Sequence, residues 1–232
     1  MHGSCAAVDV CYLPSGGARA AIVVAARPDF AAVDAEWTAE VPVAAPYRPG
    51  QFFLRELPPL RAVLADAGPL RLIVVDGYVD LDPAGRPGLG AYVHDEFAVP
   101  VIGVAKTSFH TATHAIAVTR AGSAQPLFVT AAGLPREEAA ALVRRMAGRY
   151  RLPDALRRAD ALARGARPAG RLFGSLARHC AGRGTSGPGR PYGGRVVARV
   201  SLRQAHPAAP PGHEARRCPQ ADPTGRAPGF RR

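Results

Sequence analysis

Lysine is nearly missing from this chain: among 232 residues only Lys106 is one, and arginine carries the rest of the positive charge. Cysteine is scarce as well. Cys5, Cys11, Cys180 and Cys218 contain no CxxC pair, which argues against a zinc ribbon or a disulfide framework and makes a reducing, cytoplasmic setting the expectation. No run of about 18 apolar residues occurs, so no membrane-spanning helix is expected. A basic stretch followed by an apolar one is absent from the N-terminus, so no secretory leader is expected either. What is abundant is apolar: 47% of the residues are hydrophobic, enough to build a core in one large domain or two small ones.

The net charge of +12 is unevenly placed. Residues 1–163 carry 16 basic and 16 acidic side chains, while residues 164–232 carry 14 arginines against only Glu214 and Asp222. This C-terminal part, with "GRGTSGPGRPYGGR" and "AHPAAPPGHEARR", repeats Gly and Pro too often for a helix or a central strand and is poor in long aliphatics. A disordered basic tail over 164–232 is the expectation, following a domain over 1–163. Two readings of its charge stand: a basic arm adding nonspecific phosphate affinity, or the arginine, proline, glycine and alanine that a GC-rich genome encodes by default.

Along the domain, "SCAAVDVCYL" and "ARAAIVVAA" read as strands joined by a turn at Gly16 and Gly17. "AAVDAEWTAEVPV" fits a third strand or a short helix. Pro46 and Pro49 hold Tyr47 extended, and Pro58 and Pro59 suit the first turn of a helix ending at Gly68. "LRLIVVDG" and "VPVIGVAK" are near-continuous apolar strands of the kind buried on both faces. "THAIAVTR" and "PLFVTAAG" supply two more, and "LPREEAAALVRRMAGRY" and "LPDALRRADALARGA" read as helices. Hairpin strands followed by crossovers imply an α/β fold with a mixed sheet.

In that layout Asp9 lies on the first strand, and Asp76 ends a parallel strand beside it, where open α/β sheets place ligands. Two carboxylates about 4 Å apart repel by roughly 4 kcal/mol at an effective dielectric of 20. A divalent cation would reverse that sign, and oxygen donors without His or Cys favour Mg²⁺. Solvated strand-end aspartates are the other reading. Asp80 and Asp82 read as turn acids. His110 and His114 have the i, i+4 spacing of a helical metal pair but sit in a Thr-rich, strand-like stretch and read as surface histidines.

Six stretches in order, "AAVDVCY", "PYRPGQFFLRE", "VVDGYVDLDP", "VIGVAKTSF", "PLFVTAAG" and "YRLPDALRRADALA", resemble the endonuclease V family over about residues 5–163. The resemblance implies a ribonuclease H-like fold and a Mg²⁺-dependent (or Mn²⁺-dependent) endonuclease. Such an enzyme would hydrolyse the second phosphodiester 3′ to an inosine in DNA, leaving a 3′-hydroxyl and a 5′-phosphate in a repair role. It implies Asp9 and Asp76 as metal ligands, Glu56 as their acidic partner and Asp160 as a supporting carboxylate. Lys106 would face the scissile phosphate, where a compact ammonium is preferred to a guanidinium. "PYRP" (Pro46, Tyr47, Arg48, Pro49) resembles the wedge inserted at the lesion, with Gly50, Phe52 and Gly77 near a pocket for the flipped base. The implied partner is nucleic acid, with no membrane and a monomeric protein.

Departures bear on specificity. Val79 stands for a family glycine and Asp82 for a family histidine, and "VTAAGLP" lacks the usual Gly-His. A β-branched Val79 is expected to crowd a backbone that must approach the base. Two alternatives therefore stay open: a related nuclease acting on RNA or on branched or flapped DNA, and a non-catalytic nucleic-acid-binding relative. The second sits poorly with an intact acid set, since buried acids without a cation are costly.

Overall fold

A computed structural model describes residues 3–42 and 53–168. Seven strands form one mixed sheet: β1 (Ser4–Tyr12), β2 (Ala18–Ala25), β3 (Ala35–Val41), β4 (Leu70–Asp76), β5 (Val101–Ala105), β6 (Ile116–Val118) and β7 (Leu127–Ala132). Four helices accompany them: α1 (Phe53–Leu64), α2 (Leu89–Phe97), α3 (Arg136–Arg145) and α4 (Asp154–Ala163). The strand order is β3-β2-β1-β4-β5-β7-β6. β1, β2 and β3 form an antiparallel meander; β1, β4 and β5 run parallel; β5, β7 and β6 are antiparallel. This is the ribonuclease H-like α/β arrangement expected, and "AEWTAEV" is a strand rather than a helix.

The central strands are buried on both faces, as their apolar runs require. Val8, Ile22, Ile73 and Val75 pack on one side against Leu60, Val63 and Val93 of α1 and α2. Ala7, Val23, Val74 and Val104 pack on the other against Val143 of α3 and Leu156 and Leu162 of α4. Trp37 adds a polar tie, its Nε1 donating to the Val63 carbonyl at 3.0 Å, and Arg158 of α4 pairs with Glu36 of β3.

Two helices depart from expectation. α2 was not anticipated from the sequence. Gly88 sits at the helix start, and Gly90 is needed because a Cβ there would lie 2.7 Å from Val79 Cγ2. α1 begins at Phe53, so Pro58 and Pro59 lie inside it rather than in its first turn. Neither proline can donate to the carbonyl four residues back, which leaves the Leu54 and Arg55 carbonyls without a helical partner.

Two arginines fasten the turn between α3 and α4. Arg120 donates to the carbonyls of Tyr150, Arg151, Met146 and Gly148. Arg151 in turn donates to the Lys106 and Pro126 carbonyls, which ties the turn to the end of β5.

Candidate active site

Strand register brings three of the expected residues together. Val8 pairs with Val75 in the parallel β1–β4 ladder, so the next position sets Asp9 beside Asp76. Asp76 pairs with Val104 of β5, and Lys106 follows two residues later. Side chains alternate along a strand. Ala7, Val74 and Val104 face α3 and α4, so Asp9, Asp76 and Lys106 emerge on that same face at the carboxyl ends of three neighbouring strands.

Glu56 arrives from the other side, on the first turn of α1. It is only 8% exposed. Asp9, Glu56 and Asp76 line one narrow cavity of about 10 Å³ with Val8, Val10, Leu60, Val75 and Leu89, about the room of one water-sized body. Asp160 approaches from α4. It accepts from Arg164 Nε at 2.8 Å and adds negative charge felt at both Asp9 and Lys106.

The electrostatics follow from burying like charges together. Burial first, then the Asp76 charge, pushes Asp9 from 3.8 up to about 7, while the Val10 N–H, 2.8 Å from its Oδ1, opposes the rise. Burial and the Asp9 charge push Glu56 from 4.5 up to about 8, against the hydrogen bond from Tyr12. Lys106 Nζ donates to Asp76 Oδ2. Burial pulls the Lys106 ammonium down, but the Asp76 hydrogen bond and the charges of Asp76, Asp9 and Asp160 outweigh it and raise it.

This is a centre short of positive charge. Its donors are carboxylate oxygens, with no His or Cys among them, which suits a hard divalent cation. As they stand, no three His, Cys, Asp or Glu side chains among the described residues are close enough to hold a metal ion. In this arrangement Lys106 Nζ is hydrogen-bonded to Asp76 Oδ2. The residues fit a cation provided that the ammonium yields Asp76 and that Asp9 and Glu56 give up their protons.

Around this centre, Gly77 leaves β4 with φ +137° and donates to Val104 O at 3.1 Å, a conformation that favours glycine. Val79 does not crowd the open side as expected. It is 1% exposed, turned into the core against Gly90, and its N–H donates to Thr130 Oγ1 at 2.8 Å. Asp80 and Asp82 are loop residues: Asp80 bridges to Pro87, and Asp82 accepts from the Arg86 amide at 3.0 Å and pairs with its guanidinium. His110 is exposed in a turn. His114 is not the surface histidine expected, since both its ring nitrogens are shielded and lack a hydrogen-bond partner among the described residues. Pro46, Tyr47, Arg48, Pro49, Gly50 and Phe52 lie outside the described residues, as does nearly all of the basic tail.

Two neighbours of Glu56 escape a reading by motif. Tyr12 Oη lies 3.3 Å from Glu56 Oε1, and the Arg55 guanidinium sits 4.0 Å from the centre of the Tyr12 ring. The available signal was a tyrosine three residues past Asp9, at a strand end where its hydroxyl needs a partner.

A family model described as Endonuclease V matches residues 2–134. Endonuclease V of Streptomyces coelicolor is 35% identical over 186 residues, covering 71% of this chain and 79% of that protein. Its counterpart from Azotobacter vinelandii is 32% identical over 188 residues, 69% of this chain and 82% of that protein. The crystal structure of Endonuclease V from Streptomyces avermitilis superposes with a TM-score of 0.61 at 31% identity, over 70% of this chain and 80% of that one. A more distant structure shares the fold: Ciona intestinalis Endonuclease V with DNA containing an inosine followed by a ribo-adenosine, at 20% identity, TM-score 0.58, over 70% of this chain and 84% of that one. With its sheet, its acid centre and these likenesses in agreement, the chain belongs to the endonuclease V family of nucleases.

Proposed function

We propose that this protein is a Mg²⁺-dependent endonuclease that hydrolyses a phosphodiester near inosine in DNA, leaving a 3′-hydroxyl and a 5′-phosphate, and that it serves in DNA repair. The observation that carries the proposal is one cavity lined by Asp9, Glu56 and Asp76, with the chain's single lysine hydrogen-bonded to Asp76. Residues 1–163 are its nuclease domain and 164–232 an appended basic tail. No helix among the described residues is long and apolar enough to cross a membrane; a cytoplasmic, monomeric enzyme is part of the proposal.

Asp9 and Asp76 would hold Mg²⁺ (or Mn²⁺), with Glu56 and Asp160 in support, and the bound ion supplies Lewis-acid polarisation of the phosphate and activation of the attacking water. Lys106, once released from Asp76, directs its ammonium at a non-bridging phosphate oxygen and offsets charge developing there. Glu56, with its proton poised near neutral pH, limits the negative charge inside the cavity until a cation enters. Gly77 lets the backbone approach the flipped base closely. Pro46, Tyr47, Arg48 and Pro49 would fill the gap the base leaves, beside Gly50 and Phe52. A Ciona intestinalis relative has been seen with inosine-containing DNA, which supports the same class of substrate here. A second reading, cleavage of RNA or of branched or flapped DNA without regard to inosine, is favoured by the Asp82–Arg86 loop that stands in place of the family's histidine.

The test is nicking of single- and double-stranded oligonucleotides carrying inosine or adenine at one position, in Mg²⁺, by the full chain and by Asp9→Ala and Asp76→Ala. Inosine-dependent nicking by wild type alone is expected. Equal nicking of adenine controls would favour the second reading, and an inactive wild type would overturn the nuclease proposal. Removing residues 164–232 tests the tail: unchanged salt-dependent affinity would dismiss a phosphate-binding arm.

A further inference from the structure

We infer that Tyr12 is a positioning residue that aims Glu56 into the acid cavity by gripping the start of α1 at two points. The inference rests on the metal-dependent reading above and extends it to a side chain outside the acid set.

The first turn of α1 holds itself weakly. The leading amides of any helix have no carbonyl partner within it. Here Pro58 and Pro59 also withhold the two donors that would meet the Leu54 and Arg55 carbonyls. Glu56 stands in this turn, yet it is buried and must point at Asp9 and Asp76 across the edge of the sheet. Something outside the helix has to fix its direction.

Tyr12 is placed to do so. Val8 and Val10 of β1 face α1, and alternation carries Tyr12, the last residue of that strand, to the same side. Its ring lies under the Arg55 guanidinium at 4.0 Å, a cation–π contact. Its hydroxyl donates to Glu56 Oε1 at 3.3 Å, long for such a bond, as contacts in a resting active site often are. Arg55 and Glu56 are successive on the helix and point about 100° apart, at about 3.6 residues per turn. One residue that touches both therefore fixes the rotation of the turn as well as the carboxylate. Among the described residues no acid forms an ion pair with Arg55, although its charge is felt at Glu56, and its Nε is buried without a hydrogen-bond partner there. The tyrosine ring is the described contact on the Arg55 guanidinium.

The test measures Mn²⁺ binding by the full chain without nucleic acid, by calorimetry or by the Mn²⁺ magnetic resonance signal, alongside Mg²⁺-dependent nicking. Tyr12→Phe keeps the ring and its Arg55 contact and removes only the hydroxyl. It is expected to weaken Mn²⁺ binding about tenfold or more, as loss of a partner behind a ligand does. The deficit in nicking should shrink as Mg²⁺ is raised. Tyr12→Leu, which removes both grips, should cost more. In a Glu56→Ala background Tyr12→Phe should change Mn²⁺ binding less than about twofold, because the group it positions is gone. Equal Mn²⁺ binding by wild type and Tyr12→Phe would overturn the role of Tyr12 alone. So would a full Tyr12→Phe penalty that persists in Glu56→Ala. A wild type that binds no Mn²⁺ would remove the metal-dependent reading and this inference with it.

Discussion

Asp9→Asn should make the metal-free protein more stable while abolishing nicking. The carboxylate is buried beside Asp76, and its proton affinity rises from 3.8 to about 7. At about 1.4 kcal/mol per tenfold change in affinity, holding it ionised costs on the order of 4 kcal/mol. Salt and relaxation reduce this, so a gain of about 2–3 kcal/mol for the neutral amide is expected at pH 8. Asn retains an oxygen to accept from the Val10 N–H, which now lies 2.8 Å from Asp9 Oδ1. The pH dependence has a definite sign. In wild type the stability contributed by protonated Asp9 is fully present below 3.8 and is lost as pH rises through about 7. The advantage of Asp9→Asn should therefore be largest at pH 8, less than half as large at pH 5 and absent near pH 3.5. Urea unfolding in EDTA at these three pH values measures it, and a Mg²⁺ arm should stabilise wild type but not the variant. A variant less stable than wild type at pH 8, or a gap independent of pH, would refute the claim that like charges are crowded here.

Three further outcomes follow from the same geometry. Mn²⁺ affinity should climb steeply between pH 6 and 8.5, because Asp9 (about 7) and Glu56 (about 8) must lose protons to bind it; calorimetry in buffers of different ionisation heat would detect the released protons, and a flat profile would contradict the assignment. Lys106→Met should lower kcat in saturating Mg²⁺ by about 10²–10³, the usual scale for removing a preorganised charge at a reacting phosphate, and Lys106→Arg should not restore it, because the larger fork does not reproduce a compact ammonium. Val79→Gly should cost about 1–3 kcal/mol in urea unfolding, since it empties a fully buried site against Gly90 and loosens the backbone; unchanged stability would mean the Val79 side chain is not held as described.

Much of the centre was legible because it depends on strand ends. The apolar runs before Asp76 and Lys106 read as buried strands, which deliver whatever follows them to one edge of the sheet, while the roles of Lys106 and Glu56 came from the family resemblance. The orientation of Val79 was not legible: residues three past a strand end have left its alternation, and the hole that receives Val79 is made by Gly90 on a helix not anticipated from the sequence. Pro58 and Pro59 misplaced the start of α1 because a helix normally admits proline only in its first turn; packing of the buried Pro59 and Leu60 outweighs the lost bonds here. His114 looked solvent-facing because its spacing was weighed against a strand, whereas the chain turns there. The Tyr12 contact joins residues 44 apart in sequence, which no local pattern encodes.

The arginine ties around the α3–α4 turn carry a consequence for dynamics. Arg120 gathers carbonyls of Met146, Gly148, Tyr150 and Arg151, and Arg151 reaches across to the Lys106 carbonyl, so the end of β5 and the entry to α4 are expected to open together. Amide exchange at Lys106 and through the turn should share a single rate, and loosening the turn should speed exchange at Lys106 before it does so in the central strands.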